Sequence, residues 1–374
     1  MIKRGLILIF VLELSLIAFV GTISVHATEA SWLEKAPMPT PRSGLGVGVV
    51  NEKIYAIGGA NQEGFLFINE EYNPETDKWT IKTPMPTSRS AFGIAVYDGK
   101  IYCFGGYGKG FIALDIVEVY DPETNTWNSL APMPTARMNT QASVINNKIY
   151  LIGGNPAGSI NEVYDPETNT WETKTSIPTA VSSHTSAVVD DKIYVITQNL
   201  TQIYQVESDG WSFGAPSPYP VIQVSSGATI GDFAPVKIYI FGADADLPFW
   251  QITVRDFITQ NYNPETNNWT LCGSMPNGRF SAGVAVVNDL LFVIGGYTNE
   301  YPDEGFTLNT KISYSNLTQR YTPIDYGSIN TINEETENEE PDLFPTTIAI
   351  GAVAVIAVVG LVIFAYFRKY KRRS

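Results

Sequence analysis

Four arginines stand at equivalent places in a repeated pattern, and their side chains are suited to binding anions. Each one ends the tetrapeptide Pro-x-x-Arg, just before a run of small and apolar residues. The four are Arg42, Arg89, Arg137 and Arg279. A guanidinium group forms paired hydrogen bonds with a carboxylate, so four of them around one opening could hold a carboxylate or a sugar. The alternative is structural: the arginine is part of the repeat and ties neighbouring units together.

Two long segments rich in acidic and aromatic residues supply further candidates. They cover residues 243–251 and 297–307. The candidate ligand-binding residues in them are Asp244, Asp246, Phe249, Trp250, Tyr297 and Tyr301. Aromatic rings stack on ligands and carboxylates accept hydrogen bonds, whereas the alternative is solvated loop decoration. No metal is predicted, because Asp244 and Asp246 lack the further spaced oxygens that a Ca²⁺ site uses.

Catalytic groups are scarce, and we predict no catalytic residue and no cofactor. Of the two histidines, His184 lies in the repeated region and His26 in the apolar N-terminal segment. The sequence has no Ser/His/Asp arrangement, no cysteine or histidine cluster with metal-ligand spacing and no phosphate-binding loop. We therefore expect a packed role for His184.

The charge balance excludes one class of partner. The chain has 38 acidic and 24 basic residues, which gives a net charge of −14. Such a surface repels phosphate groups, so we predict no nucleic-acid partner.

A ten-residue segment recurs along the chain and shows how the candidates are positioned. EVYDPETNTW occurs at residues 118–127 and again, unchanged, at 162–171. Looser copies end at Trp79, Trp211 and Trp269. Each copy follows an apolar strand, and several of these strands close on two glycines. Six such units, spaced by roughly 44 to 50 residues, predict a propeller or a related array of strands.

One unit is predicted to contain four antiparallel strands. In the second unit, Asp98-Gly99 is typical of a two-residue hairpin, and the turn from Asp121 to Asn125 precedes Trp127. These tight turns share one face, so the other connections share the opposite face. Those connections differ in length and sequence, which favours a binding role. They include residues 60–67, 107–113, 155–159, 198–201, 243–251 and 297–307.

Paired glycines after an apolar strand, followed by a tyrosine and a tryptophan at fixed distances, resemble the kelch repeat. The resemblance covers about residues 30–325, with worn copies in units four and five. It implies an all-β fold, a six-bladed β-propeller, which we assign to residues 28–325. The sixth unit lacks a tryptophan after Tyr321, while WLEKAPMP at residues 32–39 matches a fourth strand. We therefore expect the N-terminal strand to close the last blade.

The two ends of the chain predict an anchored extracellular protein. Residues 1–27 are typical of a signal peptide, with an uncleaved anchor as the alternative. Residues 326–343 carry six acidic residues and predict an extended stalk. A charge-free stretch predicts a transmembrane helix at 344–367, and the basic tail 368–374 predicts a cytoplasmic C-terminus. The alternative for this end is a sorting signal that is later removed.

These observations favour a cell-surface module that binds an extracellular protein or glycan through its variable loops. Galactose oxidase also has kelch-like repeats, but its copper site needs several histidine and tyrosine ligands, which one histidine in the repeats does not supply. An enzyme of the sialate mutarotase type is the alternative, because such proteins resemble kelch propellers and need only acid/base and arginine groups. The variable aromatic loops are the stronger signal, so binding is preferred.

Overall fold

Six antiparallel sheets of four strands each form a β-propeller, which confirms the predicted all-β architecture. The computed structural model describes residues 30–221, 225–243, 257–300 and 311–328. The innermost strands of successive sheets contact one another in order, and the last contacts the first. The blades therefore close into a ring.

The strands follow in a regular order. In chain order they are β1 (Ser31–Lys35), β2 (Gly46–Val50), β3 (Lys53–Ile57), β4 (Ala60–Asn61), β5 (Gly64–Phe65), β6 (Asn69–Asn73), β7 (Lys78–Ile81), β8 (Gly93–Tyr97), β9 (Lys100–Phe104), β10 (Val117–Asp121), β11 (Thr126–Ser129), β12 (Gln141–Ile145), β13 (Lys148–Ile152) and β14 (Asn161–Asp165). They continue with β15 (Thr170–Lys174), β16 (Thr185–Val189), β17 (Lys192–Thr197), β18 (Leu200–Gln205), β19 (Gly210–Phe213), β20 (Ser225–Ala228), β21 (Ile238–Ala243), β22 (Phe257–Asn263), β23 (Asn268–Ser274), β24 (Gly283–Val287), β25 (Leu290–Ile294), β26 (Tyr297–Glu300), β27 (Lys311–Tyr314) and β28 (Thr318–Thr322).

Antiparallel pairing gives the ring two distinct edges. The blades are β2-β3-β6-β7, β8-β9-β10-β11, β12-β13-β14-β15, β16-β17-β18-β19, β20-β21-β22-β23 and β24-β25-β28-β1, numbered one to six. Turns between first and second strands and between third and fourth strands lie on one edge, the turn face. The remaining connections lie on the opposite edge, the loop face. Two small hairpins, β4-β5 and β26-β27, belong to the loop face.

Small residues allow the innermost strands to crowd around the axis. A Cβ atom added to Gly46 would lie 2.6 Å from the Phe92 ring, and one added to Gly283 would lie 2.1 Å from a methyl of Val47. Real Cβ atoms do not approach other atoms so closely, so larger residues would push neighbouring blades apart.

The N-terminal strand closes the sixth blade. Strand β1 pairs with β28, with Trp32 opposite Tyr321, and the two rings lie 5.0 Å apart. The third strand of this blade is β28, and the preceding β27 pairs with β26 instead of joining the blade.

The repeated decapeptide joins each blade to the one before it. In blade two, Asn125 adopts a left-handed φ of 55°, and its Oδ1 accepts hydrogen bonds from Tyr120 Oη at 2.7 Å and from the Thr83 amide at 2.9 Å. The indole of Trp127 donates to the carbonyl of the same Thr83 at 2.9 Å. Both backbone groups of one residue in blade one are thus satisfied by blade two. The residues equivalent to Asn125 are Asp77, Asn169, Asp209 and Asn267.

We predict that Asn125→Ala lowers the free energy of unfolding by about 1–2 kcal/mol. The change removes the acceptor for two donors and places an alanine in a left-handed conformation. Asn128→Ala on the neighbouring strand changes the same residue type at an exposed site and is the control. Urea unfolding followed by tryptophan fluorescence measures both, and equal midpoints would contradict the proposed clamp.

Both ends of the propeller lie on the turn face. Strand β1 begins opposite Thr322, at the end of β28. The chain then continues beside blade five, where the Tyr326 ring stacks on Phe233 at 5.9 Å and the Gly327 amide donates to the Phe233 carbonyl at 2.6 Å. The packing of the propeller therefore continues beyond residue 325, into the first residues assigned to the stalk.

The remaining predicted segments lie outside the described residues. These are the signal peptide at 1–27, the rest of the stalk, the transmembrane helix at 344–367 and the tail at 368–374. The chain divides into two units, residues 1–329 and 330–374, and every described residue belongs to the first. Within the described ranges, no helix has the length and apolar character needed to cross a bilayer.

Candidate functional site

The loop face opens into a cavity of about 500 Å³ at the centre of the ring. This volume falls in the range of about 300–1,000 Å³ that is usual for small-molecule sites. Its floor is formed by the starts of the innermost strands, and its walls include loops of blades six, one and two. The cavity is thus built by all six blades around the axis.

A chain of backbone hydrogen bonds fixes the rim of this cavity. The Ala91 amide donates to the Gly44 carbonyl, and the Asn139 amide donates to the Ala91 carbonyl, each at 2.8 Å. The Gly44 amide in turn donates to Ser281, and that of Ser183 to Asn139. All five residues adopt a left-handed conformation, with φ between 49° and 61°. Because four hydrogen bonds link blades six, one, two, three and four at the same point, this part of the rim has a fixed outline.

One side of the cavity is aromatic. The Phe65 ring lies 5.3 Å from Tyr107 and 5.5 Å from Phe111, and Tyr107 stacks on Phe111 at 5.9 Å. Blade six adds Tyr297 and Tyr314 to the lining. Burial raises the pKa of Tyr107, so its phenol stays protonated at neutral pH. We call the five residues the aromatic wall.

Phe111 is the most exposed member of the aromatic wall. Its side chain is 74% exposed, and its backbone has a left-handed φ of 57°. Left-handed φ is costly for a bulky residue, and such strain is concentrated at ligand-contacting sites. A large ring held open to solvent in a strained conformation marks this part of the loop face for contact with another molecule.

The opposite side of the cavity is polar. Blades three and four contribute Asn139, Ser183, His184 and Thr185, and blade five adds the hydroxyl of Ser226. The Thr185 and Ser226 hydroxyls lie 2.5 Å apart. We call these five residues the polar wall.

His184 is buried without a hydrogen-bond partner for either ring nitrogen. Its side chain is 2% exposed, and it belongs to the lining of the cavity. Burial, with a smaller contribution from the nearby charge of Arg137, lowers its pKa to about 4. The imidazole is therefore neutral at pH 7, with one donor and one acceptor available.

The described part of the cavity lining carries no Asp, Glu, Lys or Arg side chain. Within the described ranges there is also no group of three His, Cys, Asp or Glu residues that could hold a metal ion. The chemistry that these walls offer is stacking and neutral hydrogen bonding.

The Pro-x-x-Arg arginines are buried and hold adjacent blades together. The Arg42 carbonyl accepts a hydrogen bond from the Gly296 amide of blade six at 2.9 Å. The Arg42 side chain reaches into blade one, where it lies 2.5 Å from Glu70 and donates to the Ala56 carbonyl at 2.9 Å. Arg89 pairs with Glu118, Arg137 with Glu162, and Arg279 donates to Gln319.

The anion-binding interpretation of these arginines is therefore corrected. Their exposed fractions are 0% for Arg42, Arg89 and Arg137 and 3% for Arg279. Their guanidinium groups meet carboxylates and carbonyls of the protein itself. Burial lowers the pKa of Arg279 to about 10, which still leaves it charged at neutral pH. The guanidinium groups bond within their own blade, while the carbonyls of Arg42, Arg89 and Arg137 accept amide hydrogen bonds from the preceding blade.

The loop candidates divide into two groups. Tyr297 lines the cavity, next to Phe280 at the start of blade six. The others lie outside the described residues: Asp244, Asp246, Phe249, Trp250 and Tyr301. Phe65, Tyr107 and Phe111 were not among the residues predicted from the sequence. Phe65 lies in the variable segment 60–67, and Tyr107 and Phe111 lie in the variable segment 107–113. Their aromatic side chains are a signal for ligand binding, but the prediction favoured the two longest segments.

Comparison with known proteins identifies a family model that part of this chain matches. Residues 22–197 match the family model described as the KLHDC2/KLHL20/DRC7 Kelch-repeats domain. The chain is 32% identical over 134 residues to the Kelch-like protein terF of Aspergillus terreus, covering 34% of this chain and 28% of that protein. It is 43% identical over 53 residues to the human Kelch-like protein 15, covering 14% of this chain and 9% of that protein. The chain thus spans under a third of the length of either relative.

Proposed function

The chain belongs to the kelch-repeat proteins, and from that premise we propose that its propeller is a binding module for an extracellular protein or glycan. A kelch propeller suggests an interaction role, and the aromatic wall supports the loop face as its site. The observation that carries the proposal is Phe111, a ring that is 74% exposed beside a cavity of about 500 Å³. Aromatic residues dominate the binding energy of many interfaces.

We also propose that the propeller is displayed outside the cell on a single membrane span at 344–367. The support is the charge-free segment at 346–367, 22 residues long, followed by five cations in the last seven residues. The last described residues lie on the turn face, against blade five.

An enzyme of the sialate mutarotase type is the weaker proposal. It needs an acid, a base and arginine groups at the axis. The arginines are engaged in buried pairs, and the described lining offers a single imidazole with no carboxylate beside it. Neutral walls favour binding over proton transfer.

The proposed binding is tested with the segment 28–333, which contains every described strand of the closed ring. We predict that Phe111→Asn weakens binding to any hit from an array of extracellular proteins and glycans by at least about tenfold, because aromatic anchors commonly contribute about 2 kcal/mol. Asparagine tolerates the left-handed φ of this position, so the change should leave stability nearly unaltered.

The matched control is Phe213→Asn. Phe213 ends the outermost strand β19 of blade four, is 59% exposed and does not line the cavity, so the same chemical change is made at the outer edge of the ring. Surface plasmon resonance measures both variants. A hit that Phe213→Asn weakens as much as Phe111→Asn would place the binding surface elsewhere, and an array without hits would favour the enzyme.

A further inference from the structure

We infer that Asn268 is an acceptor site for an N-linked glycan at the outer edge of blade five. The inference rests on the proposed display of the propeller outside the cell, because such glycans are found on proteins that cross a membrane. It depends on the sequence around Asn268, on the exposure of that segment and on the hydrogen bonds of the neighbouring asparagine.

Three copies of Asn-x-Thr, the acceptor sequence for N-glycosylation, occur in the chain. They begin at Asn199, Asn268 and Asn316. So short a motif also arises by chance, and the sequence alone does not distinguish the three. The structure does, because a linked glycan is bulky and must project into solvent from the folded protein.

The copy at Asn268 lies on an exposed face of its strand. Asn268 begins β23, the outermost strand of blade five. Side chains alternate along a strand, so Asn268 and Thr270 point to the same side, and both residues are exposed. Trp269 points to the other side, where its indole donates to the Ala215 carbonyl of blade four at 2.9 Å. Both functional residues of the motif are therefore open to solvent together.

The copy at Asn199 is engaged by the fold. The Asn199 side-chain nitrogen, which would carry the sugar, donates to the Ser217 carbonyl at 2.9 Å. Thr201 is 1% exposed, and its hydroxyl donates to the Ala215 carbonyl at 2.9 Å. A glycan on Asn199 would disturb the contact that holds its own amide group.

The copy at Asn316 lies where blade six packs on the N-terminal segment. Asn316 is only partly exposed, and its carbonyl accepts a hydrogen bond from the Met38 amide at 2.8 Å. Thr318 is 1% exposed and begins β28, inside the sheet of blade six. This copy has less room for a glycan than the one at Asn268.

The turn of the repeat does not explain an asparagine at position 268. The structural asparagine of this turn is Asn267, whose Oδ1 accepts hydrogen bonds from the Tyr262 hydroxyl and the Ala215 amide, each at 2.7 Å. Asn268 stands directly before the tryptophan, where blades one to four have other residues. These are Lys78, Thr126, Thr170 and Gly210. The asparagine is thus a feature of blade five and not of the repeat.

The proposed modification is a glycosyl transfer from a lipid-linked oligosaccharide. The side-chain nitrogen of Asn268 attacks the anomeric carbon of the donor sugar, which forms the N–C bond and breaks the bond between that carbon and a phosphate oxygen. The lipid phosphate leaves with the electron pair of the broken bond, and the nitrogen loses one proton to a base of the transferase. A membrane-bound oligosaccharyltransferase and its lipid-linked donor are the two co-reactants.

The test uses the full chain with its own N-terminal segment, produced in a mammalian cell line whose secretory pathway contains both co-reactants. Folded protein is isolated from the membranes by size exclusion and treated with a peptide-N-glycosidase, which releases the glycan and converts the modified asparagine to aspartate. Mass spectrometry of peptides then gives the occupancy of the three sites. We expect Asn268 to be occupied in most molecules, and more fully than Asn199 or Asn316.

Variants of the motif distinguish N-glycosylation from other changes at Asn268. Thr270→Ala destroys the motif without altering the asparagine and should abolish the modification, whereas Thr270→Ser keeps the motif and should retain it. Because Thr270 is exposed, the urea midpoints of both variants should match that of the original protein after the glycan is released. A modification of Asn268 that persists in Thr270→Ala overturns the inference.

The inference and the proposed display fail separately. Protection of the propeller from added protease in sealed microsomes of the same cells shows that it has crossed the membrane, whether or not it carries a glycan. If the propeller is protected but Asn268 is unmodified, or if Asn199 or Asn316 is modified in its place, the glycan inference is wrong and the display stands. If the propeller is neither protected nor modified, both fall.

Discussion

Glu70→Ala is expected to lower the free energy of unfolding by about 3–5 kcal/mol, because it leaves a buried guanidinium without its carboxylate. Arg42 is 0% exposed and Glu70 is 1% exposed, so water does not replace the lost partner. Glu70 also accepts a hydrogen bond from the Thr40 hydroxyl at 2.8 Å, which the change removes as well. The midpoint of urea unfolding measures the loss.

The protein contains its own control for this experiment. In blade four the arginine is replaced by Val181 and the glutamate by Gln202, whose amide exchanges two hydrogen bonds with the backbone of Thr179. Arg42→Val together with Glu70→Gln copies this arrangement into blade one. We expect the double variant to regain most of the stability lost in Glu70→Ala, since replacing both members of a buried pair is often nearly neutral.

Either of two results would contradict the structural role of the pair. A loss below about 1 kcal/mol in Glu70→Ala would mean that the guanidinium is not held in the blade by its carboxylate. A double variant less stable than Glu70→Ala would mean that arginine, and not the pair, stabilises the blade. Ligand binding should be unchanged in the double variant, because neither side chain reaches the cavity.

The glutamates that pair with three of the four arginines stand at one fixed position of the repeat. Glu70, Glu118 and Glu162 are the first residues of the three best-matching copies of the decapeptide. Where the arginine is replaced by valine, in units four and five, the corresponding residues are Gln202 and Gln260. The two positions therefore change together in units one to five, whereas unit six keeps Arg279 opposite Gln319. That internal agreement indicates a direct contact, which the spacing of the arginines alone did not.

Local signals predicted the blade well because its geometry depends on local chemistry. Asp98 and Gly99 have left-handed φ angles of 48° and 67°, as the hairpin signal requires, and Asn125 has the left-handed turn conformation. The closing role of the strand at Trp32 followed from the missing tryptophan in the last unit. These features depend on a few neighbouring residues and on the repeat.

The aromatic and polar walls could not be predicted in the same way. Phe65 and Phe111 are 46 residues apart in the chain and meet only because two blades place their loops side by side. His184 and Phe111 line one cavity from blades four and two, a relation that no local pattern describes. Periodicity identifies the face on which a site lies, whereas the composition of the site depends on which loops become neighbours around the ring.

Acidification is expected to destabilise the propeller through His184. Burial lowers the pKa of this imidazole from its usual value near 6.5 to about 4, so between these pH values the unfolded state binds a proton and the folded state does not. Stability is therefore complete above pH 6.5 and falls as the pH decreases toward 4. The total loss is on the order of 3 kcal/mol, from about 1.4 kcal/mol per pKa unit.

Urea midpoints measured at intervals from pH 7.5 to pH 4.5 test this dependence, with His184→Gln as the matched variant. Glutamine keeps a donor and an acceptor but does not titrate, so its midpoint should change much less over this interval. The carboxyl pKa values of Asp77, Asp121, Asp165 and Asp209 are lowered from 3.8, so these groups titrate below the measured interval. The change in stability between pH 7.5 and pH 4.5 is therefore largely due to the histidine. Parallel curves for the two proteins would show that the imidazole is not buried as the structure has it. A steeper fall in the original protein than in His184→Gln would identify this buried imidazole as the group responsible.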